Sequence, residues 1–153
     1  MTEDVRWLDP VEARAWLGYR RMSLLLGRRL ARDLAQASGL SEADYDVLSN
    51  LSEAPGASIR LTELAVHLRW STSRLSHHLT RMRQRGLVAR HEHPSDGRGA
   101  VITLTAEGQR TIQEAAPGHV ASVREHFIDL LTPEQLKAFG DLSWTVVERL
   151  NET

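Results

Sequence analysis

At 153 residues and a net charge of −1, with 41% hydrophobic and 25% charged side chains, the chain is long enough for a folded core and too apolar for global disorder. It contains no cysteine, which excludes disulfides and thiolate metal sites and fits a reducing compartment. No apolar run approaches the ~18 residues of a membrane span, and the start, MTEDVRWLDP, lacks the basic lead and apolar stretch of a secretion signal, so the cytoplasm is the expected location.

Asp9-Pro10 reads as a helix cap followed by proline at the first helical position. The helix is expected to run to Ala37, with Ser38-Gly39 as its stop. Ala15, Tyr19, Met22, Leu26 and Leu30 keep helical spacing along it. About 28 residues reach roughly 42 Å, longer than a core of this size covers on one side. Ser41 and Asp44 form a capping-box pattern that opens a second helix to about Glu53, with Tyr45, Leu48 and Leu51 inward. Ile59–Leu61 is expected to be a short extended segment. A helix from Thr62 to Arg69 follows, then a turn at Trp70-Ser71 and a helix from Thr72 to Arg85 closed by Gly86. Leu87–Glu92 and Ala100–Leu104 read as two strands joined by Pro94-Ser95-Asp96-Gly97. Thr105 starts a helix that Pro117 is expected to interrupt or kink. Thr132-Pro133 caps a last helix carrying Leu136, Phe139, Leu142, Val146 and Leu150.

The order is therefore mainly α with a small β hairpin. The terminal helices carry more apolar surface than the central module can cover, which predicts a two-fold dimer joined through them.

Charge is concentrated in the centre. Between Arg60 and Arg98 lie eight arginines (60, 69, 74, 81, 83, 85, 90 and 98) against Glu63, Glu92 and Asp96, a local +5 that leaves −6 for the rest. Residues 64–91 contain no acid. With Leu75 set inward, Leu79, Met82 and Thr72 fall within about 60° of it, and Ser73, His77, Thr80 and Gln84 face outward, flanked by Arg74 and Arg81. Small hydroxyls permit close approach to a groove; arginine forks onto guanine acceptors, and histidine can donate to or accept from a base edge. Arg81, Arg83 and Arg85, toward the helix end, suit phosphates, which hold register without reading sequence. Glycines 97 and 99 beside Arg98 suit a tip that enters a narrow minor groove, with Asp96 holding the guanidinium. A basic helix-turn-helix with a basic hairpin, in an acidic body, is the pattern of a double-stranded DNA reader.

LTELAVHLRWSTSRLSHHLTRMRQRGLVAR and HPSDGRGAVITLTAEG resemble the MarR (multiple antibiotic resistance regulator) family of winged helix-turn-helix transcription factors. The features that match are the ELA of the first helix, the Leu-x-x-Met-x-x-x-Gly-Leu-Val-x-Arg run of 79–90, the Asp96-x-Arg98 wing and the Leu-Thr-x-x-Gly of 104–108. The resemblance covers nearly the whole chain and implies a single domain over 1–153. Its winged helix-turn-helix DNA-binding module would span 41–104, flanked by dimerisation helices at 10–38 and 105–151. It further implies a cytoplasmic bacterial homodimer, nucleoid-associated when bound, on a pseudo-palindromic operator. Such a protein is expected to act as a repressor released by a small ligand. Position by position, Ser71, Ser73, Arg74, His77 and Arg81 would lie in or beside the major groove, with Asp96 and Arg98 forming the wing. Trp16 and Tyr19 would line a pocket for a small aromatic or anionic ligand. The reactive cysteine of oxidation-sensing members is absent, and Gly97 stands where many members carry a second basic wing residue, leaving Arg98 as the one insertion candidate.

The seven histidines (67, 77, 78, 91, 93, 119 and 126) include His91-x-His93 on one strand face, but nothing makes three ligands converge, so no metal and no cofactor are expected. Most of these histidines read as polar surface or DNA-facing groups. No nucleophile elbow, phosphate loop or paired-carboxylate spacing points to an enzyme. Two alternatives stay open: a winged-helix module used only for protein interaction, and a ligand sensor without DNA recognition. The acid-free helix weighs against both.

Overall fold

The computed structural model describes residues 5–92 and 99–152. The described residues form six α-helices, two single-turn 3-10 helices and one three-stranded antiparallel sheet, the α-helices and strands in the order α1 (Pro10–Ser38), α2 (Glu42–Glu53), β1 (Ser58–Arg60), α3 (Leu61–Leu68), α4 (Thr72–Gln84), β2 (Val88–Glu92), β3 (Ala100–Leu104), α5 (Ala106–His126) and α6 (Pro133–Asn151). None of these helices is long and apolar enough to cross a membrane.

Local chemistry sets the boundaries. At the start of α1, Asp9 Oδ1 accepts the Glu12 N–H at 2.8 Å, and Glu12 accepts the Asp9 N–H at 2.9 Å. The same reciprocal box opens α2 between Ser41 and Asp44 and opens α6 between Thr132 and Gln135. Gly39, with φ 72°, ends α1, and Gly86, with φ 74°, follows α4; both take the left-handed conformation that glycine adopts without a side-chain penalty. Pro117 does not interrupt its helix: α5 runs through it from Ala106 to His126. Helical bonds on either side hold the segment even though proline lacks an N–H.

The chain divides into two compact units, Asp33–Val120 and the pair Met1–Arg32 with Ala121–Thr153. In the first, β3 is the central strand: Ile59 of β1 pairs with Ile102, and Arg90 of β2 pairs with the same residue from the other side. The core beneath the sheet and between α2, α3 and α4 is aliphatic, with Leu40, Leu48, Leu51, Leu64, Leu75, Leu79, Met82 and Ile102 all but inaccessible. Each such side chain contributes about 1.5–3 kcal/mol by leaving water. Val47 is as buried as Leu48, whereas Tyr45, expected inward, only borders the core.

The junction of β3 with α5 is unusually close. Thr105 donates its hydroxyl proton to the Gly86 carbonyl at 2.6 Å and accepts the Gly108 N–H at 2.9 Å. A Cβ on Gly108 would sit 2.0 Å from the Leu87 carbonyl oxygen, a backbone atom with no freedom to rotate away. Gly108→Ala is therefore expected to destabilise the protein by about 1–3 kcal/mol in chemical denaturation. Gly118→Ala, with nothing within 4 Å, should be neutral or slightly stabilising.

In the second unit the apolar side chains of α6 find little cover: Leu142, Trp144, Val146 and Leu150 are all more than half exposed, and no α6 residue is buried. Val11, Leu24 and Leu25 of α1 are likewise exposed, while Phe127 and Phe139 meet edge to face at 5.1 Å.

Candidate nucleic-acid interface

The approach to α4 is a tight turn. Arg69 closes α3 in the left-handed conformation at φ 55°, and the Trp70 N–H bonds back to the Ala65 carbonyl at 3.0 Å. An L-residue there costs on the order of 1 kcal/mol, which the packing of Leu64 and Leu75 on either side offsets. Ser71 then caps α4, its hydroxyl oxygen accepting the Arg74 N–H at 3.1 Å. The hydroxyl proton remains available to a phosphate or base acceptor. Leu75, Leu79 and Met82 anchor one stripe of the helix in the core. The opposite side faces solvent.

Ser71, Ser73, Arg74, His77 and Arg81 are all exposed and lie on or at the start of this one helix. The Arg74 guanidinium sits 4.1 Å over the Trp70 ring, a cation–π arrangement that restricts an otherwise flexible side chain. Arg81 donates from Nη2 to His78 Nδ1 at 3.2 Å. Arg74, Arg81 and Arg83 meet no carboxylate among the described residues, so α4 presents unneutralised positive charge. On β2, Arg90 is paired with Glu92 at 3.7 Å. The wing candidates Asp96 and Arg98, with His93, lie outside the described residues. Trp16 and Tyr19 stack at 5.8 Å on α1, each about half exposed. The two cavities described border α2, β1 and α3, and neither includes those rings. Among the described residues no three His, Asp or Glu side chains converge as a metal set.

Two expectations are corrected here. Arg85, read as a phosphate contact, instead donates to Asp44 Oδ2 at 2.8 Å and is committed to the start of α2. His78, one of a set read mostly as polar surface or DNA-facing groups, has a side chain only 12% exposed, with Nε2 2.9 Å from Asp44 Oδ1. The reason is common to both: Asp44 is 6% exposed, and a carboxylate so enclosed must be met by positive charge or polar N–H groups from the helix packed against it, Arg85 by hydrogen bond and His78 by close approach. Burial pushes the Asp44 carboxyl up, but the hydrogen bonds from Arg85 and from the Ser41 N–H, together with the Arg85 charge, outweigh it and leave the group below the ordinary 3.8. The capping-box pattern identified Asp44 but assigned its carboxylate only one task.

The MarR family profile matches residues 38–99. The transcriptional regulator HosA of Escherichia coli O111:H- is 32% identical over 126 residues, covering 81% of this chain and 90% of that protein. Among solved structures, AbsC of Streptomyces coelicolor, a MarR family transcriptional regulator, is 42% identical with a TM-score of 0.93, over 97% of this chain and all of that one. Sco3205 of the same organism, solved in complex with DNA, is 40% identical with a TM-score of 0.91, over 95% and 92% of the two chains. With its helix-turn-helix, its small sheet and this degree of identity along almost its whole length, the chain belongs to the MarR family of transcriptional regulators.

Proposed function

We propose that this protein is a sequence-specific double-stranded DNA-binding transcriptional regulator, a homodimeric repressor released from a pseudo-palindromic operator by a small aromatic or anionic ligand. One observation carries the reading: the exposed side of α4 brings Ser73, Arg74, His77, Arg81 and Arg83 together with no acid and no ion pair among the described residues. A face kept only for solvation mixes signs; one meant for a groove does not. Sco3205, 40% identical, was crystallised with DNA, and this chain is taken to engage it in the same way.

Ser71, Ser73, Arg74, His77 and Arg81 act in or beside the major groove, and Arg98 enters the minor groove, held by Asp96. The uncovered faces of α1 and α6 pair with those of a second copy, so that residues 10–38 and 105–151 form the dimer scaffold and 41–104 the DNA-reading module. Two recognition helices about 34–36 Å apart then meet successive major grooves. The stacked Trp16–Tyr19 pair offers the ligand a flat face. A protein working on the chromosome acts in the cytoplasm, nucleoid-associated while bound.

Genome-wide mapping of bound DNA, followed by titration of the recovered site at several salt concentrations, tests the proposal. About eight neutralised phosphates per dimer give a log–log slope near −7. A flat salt response with no enriched site would favour a winged-helix module that binds protein alone.

A further inference from the structure

His78 stands where the buried and exposed sides of α4 meet, and it touches groups of both kinds. Its Nδ1 accepts from Arg81 one turn further on, at 3.2 Å. Its Nε2 lies 2.9 Å from the enclosed Asp44 carboxylate, with the N–H angled off the line of centres, so that this is a charge–dipole contact and not an aligned hydrogen bond. The Trp70 ring and the imidazole meet in a T-shaped arrangement at 5.6 Å and 83°, and the face of the same indole carries Arg74.

These contacts define one tautomer. A guanidinium only donates, so Nδ1 must offer a lone pair and the ring proton must sit on Nε2. An Nε2–H dipole beside the Asp44 carboxylate is favoured over a lone pair at 2.9 Å, which agrees with that assignment. Asp44 is in turn held by Arg85 at 2.8 Å and by the Ser41 N–H at 3.0 Å. We infer that His78 is a positioning residue for DNA recognition: fixed by Asp44 as the Nε2–H tautomer, it aims the Arg81 guanidinium from its Nδ1 lone pair. The inference rests on the reading of α4 as the groove-facing helix. Its physical benefit is preorganisation, since a side chain with many rotamers loses less freedom on binding when it is already aimed.

The full-length protein distinguishes this role from a merely structural one. His78→Asn places an amide oxygen near the site of Nδ1 and can still accept from Arg81. His78→Gln places its polar atoms near Nε2 and cannot. Affinities are measured on the mapped operator and on unrelated DNA of the same length, with unfolding curves for each variant. His78→Gln is expected to lower the specific-to-nonspecific ratio roughly three- to tenfold, His78→Asn to retain most of it, and the Gln effect to vanish in an Arg81→Ala background. An equal loss in both backgrounds, or equal behaviour of Asn and Gln, overturns the positioning role while leaving Arg81 as a DNA contact. An Arg81→Ala ratio unchanged from wild type removes the reading of Arg81 itself. Two-bond proton–nitrogen correlation in the DNA-free protein gives a check that needs no folded variant: the proton is expected on Nε2, and finding it on Nδ1 overturns the inference.

Discussion

Arg74→Ala is expected to weaken operator binding by about 2–6 kcal/mol per dimer, because a guanidinium reading a guanine edge contributes about 1–3 kcal/mol and a two-fold complex holds two of them. The side chain is restrained before DNA arrives: its guanidinium lies 4.1 Å over Trp70. The loss should therefore be much greater on the operator than on unrelated DNA, where only charge counts. Fluorescence anisotropy on both sequences measures it. If the two affinities fall equally, Arg74 is a phosphate contact. Trp70→Leu is a useful companion, since it keeps an apolar side chain at the turn but removes the π face, and so should reproduce part of the loss with the arginine still present.

The second large effect concerns stability. Asp44→Ala removes at once the partner of Arg85, the neighbour of His78 and half of the α2 capping box. Breaking a buried ion pair costs about 3–5 kcal/mol where the remaining charge stays trapped. Arg85 is 43% exposed and can regain water, so about 3 kcal/mol is expected in urea denaturation at neutral pH. The pH dependence has a definite sign. Because the folded Asp44 lies below the ordinary 3.8, its contribution is present above that value and is lost as the pH falls through the lower, folded one. Wild type and Asp44→Asn should accordingly converge in stability as the pH falls well below 3.8 and diverge above it. A constant gap across that range would show that the effect is one of shape and not of charge.

Much of the architecture was legible from spacing. The box at Ser41–Asp44, the cap at Thr132 and the stop at Gly86 involve groups within a turn of each other, so the residues that decide them stand side by side in the chain, whereas the Gln135 half of the α6 box and the Ser71 cap emerged only with the structure. The inward stripe of Leu75, Leu79 and Met82 followed from helical period alone. The pairing of β1 with β3 on the side away from β2 did not, because no local pattern says which strand edge a three-residue segment will join. The continuity of α5 through Pro117 was also missed, since local propensity there is overridden by bonds on both sides.

The division within the recognition module has the same origin. Composition determined that positive charge gathers between Arg60 and Arg98 and that the outward side of α4 carries hydroxyls, histidines and arginines, since those facts need only counting and a 100° step. Only the tertiary structure decided which of those charges is available. Arg85 and Asp44 are 41 residues apart, and their meeting depends on how α4 packs against the start of α2. A buried carboxylate must find donors, and it takes them from whichever side chains the core brings within reach. Arg85 and His78 were the ones within reach, and Arg74 and Arg81 remained exposed on α4.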